Sequence, residues 1–116
     1  MWFKRLIRSF RYAFKGLAYL ISYERNFKVH VGALVLVIAG SIYFKLTLIE
    51  ASLVLLAASG VLVTEAVNSG MEILLDIIYP EHNGKSKIIK DLMAGAVLIS
   101  ALFSIAIGVL VFLHHF

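Results

Sequence analysis

No cysteine occurs among the 116 residues, which excludes disulfides, thiolate zinc sites and a cysteine nucleophile. There is a single proline, Pro80, and no Gly/Ser-rich or Pro-rich tract, internal repeat or low-complexity segment. Nothing therefore separates modules, and one compact unit, residues 1–116, is expected. Acidic residues are few: seven Asp and Glu face eleven Lys and Arg, for a formal charge of +4. A basic balance can signal nucleic acid, but here the cations sit beside apolar spans instead of forming a soluble basic surface. Anionic phospholipid and nucleotide phosphate are the partners this placement favours, and no nucleic acid is expected.

What the chain has in excess is apolar surface, with 61% hydrophobic residues, more than an ordinary soluble domain carries. An all-α integral membrane protein is the reading. Phe3, Leu6, Ile7, Phe10, Phe14, Leu17 and Ile21 recur at three- and four-residue steps while Lys4, Arg8, Arg11 and Lys15 take another face. Residues 1–22 thus read as an amphipathic interfacial helix whose cations meet anionic lipid. Its scattered charges leave no uninterrupted apolar core of a secretory signal, so it is expected to stay in the mature protein.

Three crossings follow. The first, 29–44, lies between Lys28 and Lys45 and spans only about 24 Å as a helix, so its flanking lysines must snorkel or the bilayer must thin. The second, 47–79, is stopped by Pro80 and is about 48 Å long against about 30 Å of hydrocarbon, so one end must project into water. After the His82-Asn83-Gly84 turn, the third, 86–113, is free of charge from Leu92 to Leu113. The N-terminal segment and the 77–91 connection hold every Lys and Arg except Lys45, which predicts a cytoplasmic N-terminus. Ala96, Ser100, Ser104 and Gly108 form a small-residue stripe on the third crossing, suited to close helix packing within the chain or between subunits.

The chemistry concentrates in Glu65-Ala-Val-Asn68-Ser-Gly-Met-Glu72-Ile-Leu-Leu-Asp76, where steps of 3, 4 and 4 put four oxygen-bearing side chains on one helical arc. An acid at the bilayer centre costs about 2.5–3.5 kcal/mol, so such residues persist mainly where they face an interior, an ion or a pathway. Glu65 stands where the apolar run ends and Glu72 and Asp76 lie further toward water. A lipid hydroxyl from the bilayer and a nucleotide from the cytosol could meet there, with hard carboxylate oxygens suited to Mg²⁺ between them. Glu24, before the first crossing, and Lys90-Asp91, at the entrance to the third, could close over the same boundary.

Two tempting motifs fail. Gly84-Lys85-Ser86 suggests a phosphate loop, but the required first glycine would fall at Tyr79 and no strand precedes it. His114 and His115 are adjacent and lack metal-ligand spacing, and His30 is isolated, so no zinc site is expected. A small ion transporter remains an alternative, although its acids belong nearer the midplane, and a structural scaffold does not explain the one-face array.

At these residues the sequence resembles the small prokaryotic diacylglycerol kinase family, which includes the undecaprenol kinases. Glu65-Ala-Val-Asn68-Ser-Gly-Met-Glu72 matches the family's E-x-x-N-[ST]-x-x-E signature. Phe14-Lys15-Gly16-Leu17, Glu24-Arg25-Asn26-Phe27 and the stretch from Lys90 to Leu98 extend the likeness over nearly the whole chain. The resemblance implies a homotrimer with sites shared between neighbours, ATP as phosphoryl donor and Mg²⁺. It implies that Glu65 draws the proton from the lipid hydroxyl, that Asn68 helps fix the site, and that Glu24 and Glu72 hold magnesium. Arg5, Tyr12, Lys15, Asp76, Lys90 and Asp91 would contact or organise ATP. His30 stands where the diacylglycerol kinase branch usually carries another acid, and the stretch from Glu24 to His30 is similar to the undecaprenol kinase branch. Undecaprenol is thus the expected substrate, with diacylglycerol as the alternative.

Overall fold

The structure is a computed structural model that describes all 116 residues. Four helices follow one another, α1 (Trp2–Tyr23), α2 (Arg25–Tyr43), α3 (Leu48–Ile78) and α4 (Gly84–Leu113), with no strand. Glu24 alone separates α1 from α2, and its extended backbone (φ −102°, ψ 107°) redirects the chain. The helix α2 begins four residues before the apolar stretch at Val29, because Arg25 to Lys28 are compatible with helix. Charge marks where a helix leaves hydrocarbon, not where it ends.

Each turn has a local cause. Phe44 closes α2, Lys45 adopts a left-handed backbone (φ 52°), and Leu46 N–H donates to Ser41 C=O while Lys45 N–H donates to Ile42 C=O. This is the paired closure that usually recruits glycine at the position of Lys45. A capping box then opens α3: Thr47 Oγ1 accepts from Glu50 N–H and Glu50 Oε1 accepts from Thr47 N–H. At the far end Pro80 follows α3, and the Asn83 side chain accepts from Ser86 N–H at 2.8 Å to start α4.

The central helix is α3, packed most extensively on α4 and then on α2, while α1 rests on α2. At 31 residues α3 is about 46 Å long, so it exceeds the hydrocarbon and must project. Gly60 faces α4, where a Cβ would make an ordinary contact with Ser100 Oγ at 3.6 Å, whereas a Cβ at Gly40 would crowd Phe112 at 3.2 Å. At the end remote from Glu65 and Asp76, Phe44 stacks edge-on against Phe112 and Phe116, and His115 Nε2 lies 3.0 Å from Glu50 Oε2, tying α4 to the start of α3.

Only nine residues are buried, and four of them are polar: Glu65, Asn68, Ser69 and Ser86. Leu36, Leu56 and Leu110 are each more than 70% exposed. In water each such side chain forgoes about 1.5–3 kcal/mol of burial, so hydrocarbon or a neighbouring subunit must be its solvent. Three of the helices, α2, α3 and α4, are long and apolar enough to cross a membrane. The apolar stripe of α1 is likewise uncovered by its own chain, as an interfacial helix requires. The chain is a multi-pass membrane protein with an apolar outside and a polar interior at one end.

Candidate active site

The predicted arc on α3 divides by depth. Glu65 and Asn68 are buried, while Glu72 and Asp76 are exposed further along the same helix. Asn68 Nδ2 donates to Glu72 Oε1 at 3.4 Å, a long bond that links the buried and exposed halves. Asn68 Oδ1 is buried with no hydrogen-bond partner, a costly condition that marks a place where a polar group is missing.

Glu65 and Asn68 border an open cleft of about 410 Å³ between α2, α3 and the first half of α4. Asn26 and His30 contribute from α2, and Ala94, Val97 and Ala101 from α4. His30 Nε2 approaches Glu65 Oε2 to 3.9 Å, an ion-pair distance but longer than a hydrogen bond. Glu65 is 3% exposed and has no hydrogen-bonded partner. Its carboxylate is therefore unengaged on the border of the cleft.

Closer to water, Lys90 Nζ on α4 meets Asp76 Oδ1 on α3 at 2.8 Å, and Lys87 meets Asp91 at 2.8 Å along α4. A second cleft, about 510 Å³ and lined only by His82, Asn83, Gly84, Ser86, Lys87 and Lys90, opens at the start of α4. Its lining is polar throughout, with Lys87 and Lys90 each already paired to an acid and the Ser86 N–H already donated to Asn83.

Not every candidate is gathered in. Arg5, Tyr12 and Lys15 lie exposed on α1 with no side-chain hydrogen bond or ion pair to the arc, although Lys15 Nζ sits 6.0 Å from the Tyr12 ring. Glu24, at the α1–α2 junction, is half-buried and its side chain caps neither helix. No three His, Asp or Glu side chains of the single chain converge as a metal-binding group.

Sequence reasoning missed the pairing of His30 with Glu65 and the place of Asn26 in the cleft. The only signal was register: Asn26 and His30 are four apart and share a face of α2, but which face meets Glu65 depends on packing. The small-residue stripe also splits. Ser100 meets Gly60 at the α3–α4 contact, whereas Ser104 and Gly108 border open space.

The family model of prokaryotic diacylglycerol kinases matches residues 11–112, which include every candidate residue except Arg5. An undecaprenol kinase of Bacillus subtilis is 34% identical over 109 residues, covering 94% of this chain and 89% of the relative. A diacylglycerol kinase of Synechocystis is 33% identical over 104 residues, covering 89% of this chain and 59% of the relative. With the family matched across most of its length and three helices long and apolar enough to cross a membrane, the chain belongs to the prokaryotic diacylglycerol kinase family and is a membrane lipid kinase.

Proposed function

We propose that the chain transfers the terminal phosphoryl group of ATP to the primary hydroxyl of a membrane lipid, undecaprenol in preference to diacylglycerol. The observation that carries this reading is Glu65, buried and without a hydrogen-bonded partner, on the border of a cleft at the polar end of the bundle. The lipid oxygen attacks the terminal phosphorus, the bond from that phosphorus to the bridging oxygen of ADP breaks, and the hydroxyl proton passes to the Glu65 carboxylate. Asn68 steadies the incoming hydroxyl; its unpaired Oδ1 supports that role.

The nucleotide is bound from the water side by Arg5, Tyr12, Lys15, Asp76, Lys90 and Asp91, of which Lys90 lines the polar cleft at the start of α4. Glu24 and Glu72 are hard oxygen donors suited to Mg²⁺, which commonly takes one or two carboxylates and completes its shell with phosphate and water. The two-carboxylate set fits that habit. A magnesium ion held by Glu24 and Glu72 would supply positive charge beside the phosphoryl oxygens. Glu24 has no capping duty, and Asn68 touches Glu72 by one long bond, so both carboxylates retain lone pairs for this role.

The working unit is a homotrimer in the bacterial cytoplasmic membrane with the N-terminus on the cytoplasmic side. Exposed leucines on the spans and the lysine distribution support these two statements respectively. The Bacillus relative, named an undecaprenol kinase, favours the polyprenol, while the Synechocystis relative keeps diacylglycerol as the second reading. Transfer of label from ATP to the two lipids at equal surface fraction in one micelle preparation tests both. Excess phosphatidic acid reverses the substrate choice, and no labelled lipid overturns the reading.

A further inference from the structure

The cleft at Glu65 does not end there. His30 and Ala101 border it and also border a cavity of about 200 Å³ one turn deeper. Ala33, Val37, Ser104 and Ile105 in turn belong both to that cavity and to an open one of about 470 Å³ that reaches Phe116. The three form one lane between α2 and α4 over a floor made by α3, and α2 and α4 meet at its far end, where Phe112 packs against Gly40 and Phe44. Its polar head holds Glu65 and the unpaired Asn68 Oδ1.

Along α4 the lane runs from Ala94 to Leu113, about 30 Å at helical rise, which equals the hydrocarbon thickness of a bilayer. We infer that this lane is a binding groove for a single polyprenyl chain long enough to pass the membrane midplane, with the alcohol oxygen at Glu65. The inference rests on the lipid-alcohol reading above and adds a basis for choosing between lipids. An acyl chain whose headgroup sits at the Glu65 end stops near the middle of the bilayer and never reaches the half lined by Gly108, Phe112 and Phe116. Only a chain longer than one leaflet gains those contacts.

Gly108→Leu probes the far half. A Cβ at Gly108 meets nothing within 4 Å, so the substitution begins in open space bordering the lane. Gly32 on α2 is equally open and lies outside the lane, making Gly32→Leu the control. Gly108→Leu should lower the ratio of kcat/KM for undecaprenol to that for a short prenol by about tenfold, the scale on which apolar pockets discriminate. Gly32→Leu should leave the ratio unchanged.

A readout independent of turnover uses the absence of native cysteine. A nitroxide on Gly108→Cys should lose mobility when undecaprenol is added and keep it with the short prenol. Immobilisation without phosphorylation of either alcohol supports the groove while removing the kinase reading. An unchanged ratio together with an unaffected nitroxide overturns the groove and leaves the kinase reading intact. Dissociation of the oligomer by Gly108→Leu, measured by cross-linking, assigns the lane to a second copy of the chain and also overturns it.

Discussion

His30 Nε2 on α2 lies 3.9 Å from Glu65 Oε2 on α3, across 35 positions of sequence, and is the sole basic side chain within 4.0 Å of that buried carboxylate. The pair joins two membrane-crossing helices at the depth where the candidate chemistry occurs. Replacing Glu65 by Gln keeps the volume and removes the base, so kcat should fall by about 10²–10⁴ with the protein still folded and assembled. Activity near wild type in a folded Glu65→Gln protein would remove Glu65 from the mechanism.

Removing the partner should cost less than removing the base. His30→Ala is expected to lower kcat about tenfold, below the range for the base itself, with KM for ATP unchanged because the imidazole lies on the lipid side of the arc. A rise in KM for ATP with constant kcat would place His30 in nucleotide binding instead.

Glu24 and Glu72 should behave as a unit. If they share one magnesium, removing either carboxylate disables the same site, and Glu24→Gln and Glu72→Gln combined should lose little more than the worse single variant. The magnesium requirement should shift upward in each single variant. Fully additive losses with an unaltered magnesium dependence argue against a common ion.

Lys90 holds Asp76 across α3 and α4, but Asp76 is exposed to water, so the pair contributes little to stability. Lys90→Met should therefore barely move Tm while raising KM for ATP about tenfold, as expected for losing a charge-assisted bond to phosphate. A large fall in Tm with unchanged KM would assign Lys90 to helix docking alone.

Lys45 carries a left-handed backbone in the turn between α2 and α3, remote from Glu65 and Asp76. A non-glycine residue there costs about 1–2 kcal/mol relative to its preferred conformation. Lys45→Gly should stabilise the turn by up to about 1 kcal/mol, read as a higher Tm in detergent, with kcat unchanged. A lower Tm would mean that the lysine side chain contributes more than its backbone strain costs.

Four helices, three of them long enough to cross a bilayer, were legible from periodicity and charge because the lipid solvent leaves little choice. A crossing segment must satisfy its own backbone, so length and apolarity alone specify a helix. The arc from Glu65 to Asp76 was equally legible, since residues 3 and 4 apart on a helix share a face whatever that face meets. The overlong α3 announced its own projection into water. The limits of α2 were less so: Glu24, not the end of the charged stretch at Lys28, divides it from α1.

Tertiary structure decided which faces meet. Helical register places Asn26 and His30 together, but only the docking of α2 on α3 turns them toward Glu65. The same holds for Lys90 and Asp76, which are 14 residues apart across a turn whose geometry the sequence leaves free. Ser100, Ser104 and Gly108 look alike as a stripe, yet Ser100 meets Gly60 while the other two border open space. The physical reason is that periodicity describes a helix about its own axis, whereas a contact depends on rotation and approach between two axes. In a bundle whose outer surface is apolar on every side, hydrophobicity carries little information about that rotation.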